Sequence, residues 1–274
     1  MDARVNGFRL LILLASFACG SVRAAQLKPE TAAAFDRYIK VTEEEMNKHR
    51  GFNDFLWLDH RDPKEKSLVW LGQPVFVPLT TLDHGQQIDV PDGVIQHWLG
   101  VTYLDEPPLE RVRDLILNFA DYKTFFKLQV IDSKLIQHDG DQFDALLRLY
   151  KKQISAVLLN VHESAKFTLV DPSKIFVACH STHIGEAAHP KDKNSWDEEL
   201  SPQDQSGYLW SLNLYYRLEQ SDNGVYVELE VISLGREAGG KLNPGRFLNG
   251  FETFPRDLTR GIIDGLRDAF PHHR

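Results

Sequence analysis

Apolar and polar residues alternate along two consecutive stretches, 207–219 and 224–235, and this period of two reads as a pair of strands. The Asn223-Gly224 dipeptide between them predicts a two-residue type I′ turn that pairs Asp222 with Val225. In that register Trp210, Leu212, Leu214, Tyr216 and Leu218 share one face with Val225, Val227, Leu229, Val231 and Ser233. The opposite face carries Asn213, Arg217, Glu219, Glu228 and Glu230, with Arg217 across from Glu230 as a cross-strand ion pair. Further strands are expected over 94–104, 129–138, 142–151, 154–170 and 174–186, with turns at Asp139-Gly140 and Asp171-Pro172-Ser173. A turn at Asp139-Gly140 sets Asp132 and Lys134 against Leu147 and Ala145, a pairing that the pattern does not explain.

Helical spacing appears in three places. Residues 29–49 place Phe35, Tyr38, Ile39, Thr42 and Met46 on one face behind Pro29, which suits a first turn. After Pro107-Pro108, a second helix carries Leu109, Val112, Leu115, Ile116 and Phe119. The chain finishes with Phe247, Phe251, Phe254, Leu258, Ile262 and Leu266 at helical spacing. Residues 187–206 are a polar connection, and 51–92 hold short apolar runs broken by Gly, Pro and charge. The expected fold is therefore α+β: a curved antiparallel sheet of about seven strands, wrapped on a long C-terminal helix, over 93–270. An N-terminal helix and extension over 25–92 precede it and cover the main domain rather than fold alone. A sheet with one apolar face needs a cover, and the stripe on the last helix is the available partner.

Composition changes this picture at the N-terminus. Arg4 and Arg9, the apolar run Leu10–Ala18 and the Val22-Arg23-Ala24 site read as a secretory signal cleaved after Ala24. The run is shorter than the roughly 20 residues that span a bilayer, so no stable membrane span is expected after cleavage. Cys19 raises a lipoprotein reading, but Ser16-Phe17-Ala18 lacks the lipobox pattern. The expected location is outside the cytoplasm, periplasmic or extracellular. Net charge is −8, and a leader with three Arg and one Asp leaves the remainder more acidic. Such a chain has no electrostatic footprint for nucleic acid. Beyond the leader Cys179 stands alone in the apolar run Ile175-Phe176-Val177-Ala178, which fits a buried, unreactive thiol.

The segment Gly207–Glu219, followed by Gly224-Val225-Tyr226-Val227-Glu228-Leu229-Glu230 and Ile232-Ser233-Leu234-Gly235-Arg236, resembles an uncharacterised bacterial branch of the START-like superfamily. This superfamily is also called SRPBCC, helix-grip or birch-pollen-allergen-like. In the branch this double strand precedes a helix containing Pro-Arg, here Pro255-Arg256, and the likeness covers roughly residues 93–270. The resemblance implies an internal cavity for a lipid, sterol, polyketide or aromatic compound, and it supplies no catalytic motif, metal or cofactor.

The candidate cavity residues are Trp210, Leu212, Leu214, Tyr216, Val227, Leu229, Val231, Phe251, Leu258 and Ile262. The alternative use of the same side chains is plain core filling. His162, His180 and His183 lie on strands joined at Asp171-Pro172-Ser173, where two imidazoles could hold zinc with Glu163 or Glu186, or stand solvated or hydrogen-bonded without a metal. The absence of metal-ligand spacing favours the latter, so no metal or cofactor is expected. No Gly-x-Ser-x-Gly elbow is present. Binding or carriage of a hydrophobic molecule without catalysis is the favoured reading. A cyclase or hydrolase using His180, Glu228 or Asp132 is the second, and a packed partner-binding domain the third.

Overall fold

The computed structural model describes residues 26–50, 54–126, 130–152, 156–192, 196, 198–236 and 253–271. The expected leader, Phe247 and Phe251 lie outside them. Ten strands and five helices are found in these residues. The first part of the chain holds α1 (Pro29–His49), a 3-10 turn (Trp57–His60), α2 (Pro63–Trp70), β1 (Val75–Pro78), β2 (Leu82–Asp83) and β3 (Gln86–Gln87). Then come β4 (Gly93–Asp105), α3 (Leu109–Ile116), a turn at Phe119–Asp121, and α4 (Tyr122–Phe125). The sheet continues with β5 (Val130–Asp139), β6 (Gln142–Lys152), β7 (Ala156–Asp171), β8 (Lys174–Glu186), β9 (Ser211–Ser221) and β10 (Gly224–Arg236), and α5 (Phe254–Ala269) closes the chain.

The architecture is helix-grip. Eight strands form one antiparallel sheet in the order β1-β4-β10-β9-β8-β7-β6-β5, so the first long strand pairs with the last. The strand beyond the seven expected is β1, which the extension adds to the edge of β4. On the concave side, α3, α4 and α5 pack on one apolar cluster that includes Leu147, Val161, Val177, Leu214, Tyr216, Leu229, Leu258 and Ile262. Sheet and helix touch directly under β4. A Cβ on Gly100 would lie 2.7 Å from Thr259 Cγ2 and 3.0 Å from Ile263 Cγ1, so glycine there lets α5 sit down on the strand.

The convex side is also covered. α1 buries Phe35, Tyr38 and Met46 against Phe176, Tyr215, Ile232 and Leu234. The 54–79 segment buries Phe55, Leu56, Leu58 and Val69 against Leu99, Val101, Tyr103 and Tyr226. These two apolar patches explain why residues 26–92 stay on the sheet: without them the convex face would present large hydrophobic side chains to water.

Two expected registers need correction. The β9–β10 loop is Asp222-Asn223, flanked by a Ser221–Gly224 pair, so Arg217 lies opposite Glu228 rather than Glu230. Neither loop residue has positive φ, which rules out the type I′ turn. Gly224 is needed for a different reason: a Cβ there would overlap Leu104 O on β4 and lie 2.8 Å from Tyr103 Oη. The shift by two residues leaves the faces as expected. In the β5–β6 hairpin the loop is Gly140-Asp141, with Gly140 at φ +60° and irregularities at Val130/Asp132 and Leu135/Gln137. Those bulges set Asp132 against Arg148 and Lys134 against Leu146.

Candidate functional site

Seven of the expected cavity residues on β9, β10 and α5 (Leu212, Leu214, Tyr216, Val227, Leu229, Val231 and Leu258) are buried together in the concave cluster, and Ile262 joins them. Trp210 does not. β9 begins only at Ser211, so the alternation stops short of residue 210, and this half-buried ring packs on the convex side with Phe35 and Tyr38. Phe251 lies outside the described residues.

One carboxyl interrupts the concave surface. Along β7, Leu159, Val161, Glu163 and Ala165 alternate inward, and Glu163 is only 5% exposed. Burial pushes its carboxyl up to about 7, opposed by a hydrogen bond from Cys179 and the charge of His180. Burial and the neighbouring Glu163 charge push the Cys179 thiol well up, so it is not a ready nucleophile. Burial likewise raises the Tyr122 and Tyr216 phenols, both of which feel Cys179 and Glu163. The Tyr122 hydroxyl donates to Ile116 O, which fixes that ring. The result is an apolar interior with a carboxyl able to hold or release a proton near neutral pH, within electrostatic reach of the two phenols.

The convex side carries a second, more polar construction under the extension. Arg217 Nη1 donates to Glu230 Oε1 at 2.6 Å and lies 3.6 Å from Glu228 Oε2. The Glu228 carboxylate accepts from the Trp57 and Leu58 amides at 2.8 and 3.0 Å. Glu230 Oε2 is 2.8 Å from His97 Nε2, and His97 Nδ1 is 3.1 Å from Tyr38 Oη. That oxygen already accepts from the Thr81 amide at 2.8 Å, so the tyrosine donates to Nδ1 and leaves Nε2 to donate to Glu230. Burial pushes Glu228 up to about 7 against the pull of Arg217 and the two amides. Burial also opposes ionisation of Glu230, but Arg217 and His97 outweigh it and hold that carboxyl down at about 2. Above His97, Arg217 and Glu230 opens a cleft of about 440 Å³, with His49, Asp54 and His60 at its edge.

The groups named for acid–base chemistry do not meet a ligand in the interior. His180 lies on the convex side, 2.9 Å from Glu43 Oε1 and 3.2 Å from Tyr215 Oη. Glu228 is sealed beneath the extension, and Asp132 pairs with Lys123 at 3.1 Å near the surface. His162 and His183 are cross-strand partners with ring centres 5.5 Å apart, as expected, but among the described residues no ligand set forms around them. His183 bonds Glu199 at 2.6 Å, Glu186 caps the Ser206–Tyr208 turn, and Glu163 points inward. The carboxyl that does face the interior was visible in the sequence as the lone charge in the alternation of 157–165.

No helix among the described residues is long and apolar enough to cross a membrane. No protein-family model matches the chain, and no curated protein matches it. Solved structures that resemble it include a STAR-related lipid transfer protein (fragment 25–204) from Xanthomonas axonopodis, with 10% identity, a TM-score of 0.46, and coverage of 72% of this chain and 99% of that one. The Zhui aromatase/cyclase from Streptomyces sp. R1128 aligns with 10% identity and a TM-score of 0.45, over 64% of this chain and 93% of that one. Human STARD10 aligns with 10% identity and a TM-score of 0.45, over 77% and 78%. At this identity and TM-score the likenesses say nothing about ligand or reaction. The strand order and closing helix of this chain are those of the helix-grip fold.

Proposed function

We propose that the protein binds or carries a hydrophobic small molecule or lipid between the sheet and α5, in the exported compartment that its leader implies. The observation that carries this reading is the concave side itself: an apolar surface across seven strands, interrupted near its middle by the Glu163 carboxyl. Burying about 300 Å² of apolar ligand surface there would supply roughly 7 kcal/mol before ordering costs. Glu163, hydrogen-bonded by Cys179, is the group that would orient a ligand hydroxyl or carbonyl. Since α5 rests directly on β4 at Gly100, ligand entry requires the helix or the α3–α4 segment to yield.

The test is native mass spectrometry of the purified chain for copurifying lipid, joined to titration with a fluorescent fatty acid and a fluorescent sterol. The expected outcome is a bound species, with probe affinity weakened about tenfold or more by Leu229→Trp, which fills the interior. Glu163→Gln is expected to weaken a probe with a polar head more than an all-hydrocarbon one. Circular dichroism and a cooperative unfolding transition confirm that each variant is folded. No copurifying species and no saturable probe binding would overturn the proposal.

A further inference from the structure

At the edge of the convex cleft three donors converge. His49 ends α1, Asp54 leads into the next turn, and His60 closes the 3-10 turn. His49 Nδ1 lies 2.8 Å from Asp54 Oδ2, and His60 Nε2 lies 3.7 Å from the same oxygen. The two imidazoles stand edge to face with centres 5.1 Å apart, and one ligand atom from each residue falls within a 4.8 Å span. Four-coordinate zinc with bonds of about 2.0–2.2 Å holds its ligand atoms roughly 3.3 Å from one another, between the two separations found here. Asp54 Oδ1 is shielded from solvent and has no hydrogen-bond partner among the described residues, although 37% of the side chain is exposed.

The scaffold beneath the donors is stiff. Glu228 holds the Trp57 and Leu58 amides, and the Leu56 amide donates to Asp59 Oδ2 at 2.9 Å, which together pin the turn that presents His60. All three donors border the cleft of about 440 Å³, so a metal held by them keeps a coordination position facing that space.

We propose that His49, Asp54 and His60 form a binding site for a divalent transition ion of the zinc class, with its remaining position open to the cleft for water or a small oxygen ligand. Two imidazoles with a single carboxylate suit such an ion and do not supply the oxygen-rich set that calcium or magnesium requires. The site is separate from the concave interior and does not depend on what that interior binds.

The experiment uses tag-free, full-length protein stripped with a chelator, then titrated with zinc by calorimetry and with cobalt(II) by visible spectroscopy. One equivalent per chain is expected, with cobalt bands of the intensity typical of low coordination number that bleach when zinc is added. His49→Ala, His60→Ala and Asp54→Asn should each weaken zinc binding by about 100-fold, since each removes one of three protein ligands. His162→Ala/His183→Ala, which alters the other histidine pair, should leave it unchanged. Absence of zinc binding at about 100 μM, far above the affinity range of such sites, would overturn the proposal. So would one-equivalent binding that survives His49→Ala/His60→Ala or is lost in the His162/His183 variant.

Discussion

Glu163 ties its protonation to the stability of the fold. Its carboxyl titrates at about 7 in the folded chain against an ordinary value of 4.5, so between those limits the folded state holds a proton that the unfolded state has released. Stability therefore falls as pH rises from 4.5 to about 7 and levels off above, by about 3 kcal/mol for a shift of this size. Glu163→Gln removes the share due to Glu163 and leaves that of Glu228, whose carboxyl is also pushed up to about 7. Urea unfolding of the two proteins at pH 4.5 and pH 8 should show the variant gaining about 3 kcal/mol relative to the parent on going to the higher pH. Parallel profiles would mean that the side chain is solvated in the native state. Glu230 works in the opposite sense: held at about 2 by Arg217 and His97, it adds stability that is present above 4.5 and lost as pH falls towards 2.

At the scale of elements, glycines set how closely the layers approach. Gly265 lies inside α5, where alanine would ordinarily gain about 1 kcal/mol of helix propensity. A Cβ at that position, however, would sit 2.5 Å from Phe125 O and 2.8 Å from Phe126 Cδ1. A backbone oxygen cannot swing aside as a side-chain tip can, so Gly265→Ala is expected to destabilise by about 1–3 kcal/mol, measured by thermal or urea unfolding. A neutral or stabilising result would show that α4 moves freely over α5. The same residue type misled the reading of β9 and β10. Asn223-Gly224 has the composition of a type I′ turn, but Gly224 serves contact with β4, a strand more than a hundred residues earlier, which local pattern does not reveal. The faces of β9 and β10 were legible nonetheless, because a slip of two residues preserves parity. Trp210 was misplaced because alternation says which way side chains point within a strand but not where the strand begins. His49, Asp54 and His60 have spacings of five and six residues across a helix end and a turn, so no periodicity announces their convergence.

For the molecule as a whole, the extension and the sheet are bound by buried polar contacts as well as apolar ones. Arg217, Glu228 and Glu230 are nearly inaccessible only because residues 38–81 lie over them. A chain beginning at Gly93 would expose Leu99, Val101, Phe176, Tyr215 and Tyr226 along with β4's free edge. It is expected to aggregate or to bind a hydrophobic dye without a cooperative transition. If that shortened chain unfolded cooperatively with native-like stability, the extension would be a dispensable appendage.

The bond from the Trp57 amide to Glu228 joins positions 171 residues apart. Synthesis runs from the N-terminus at about 5–20 residues per second, so roughly 10 to 30 seconds separate the emergence of the first partner from that of the second. Throughout that interval the early segment has only part of its surface: Phe55 and Leu58 can meet Leu99, Val101 and Tyr103 early, but Phe35 waits for Phe176, Tyr215 and Ile232. The chain is thus one whose first-made part is finished last, and it would be expected to need a holding chaperone more than its size suggests.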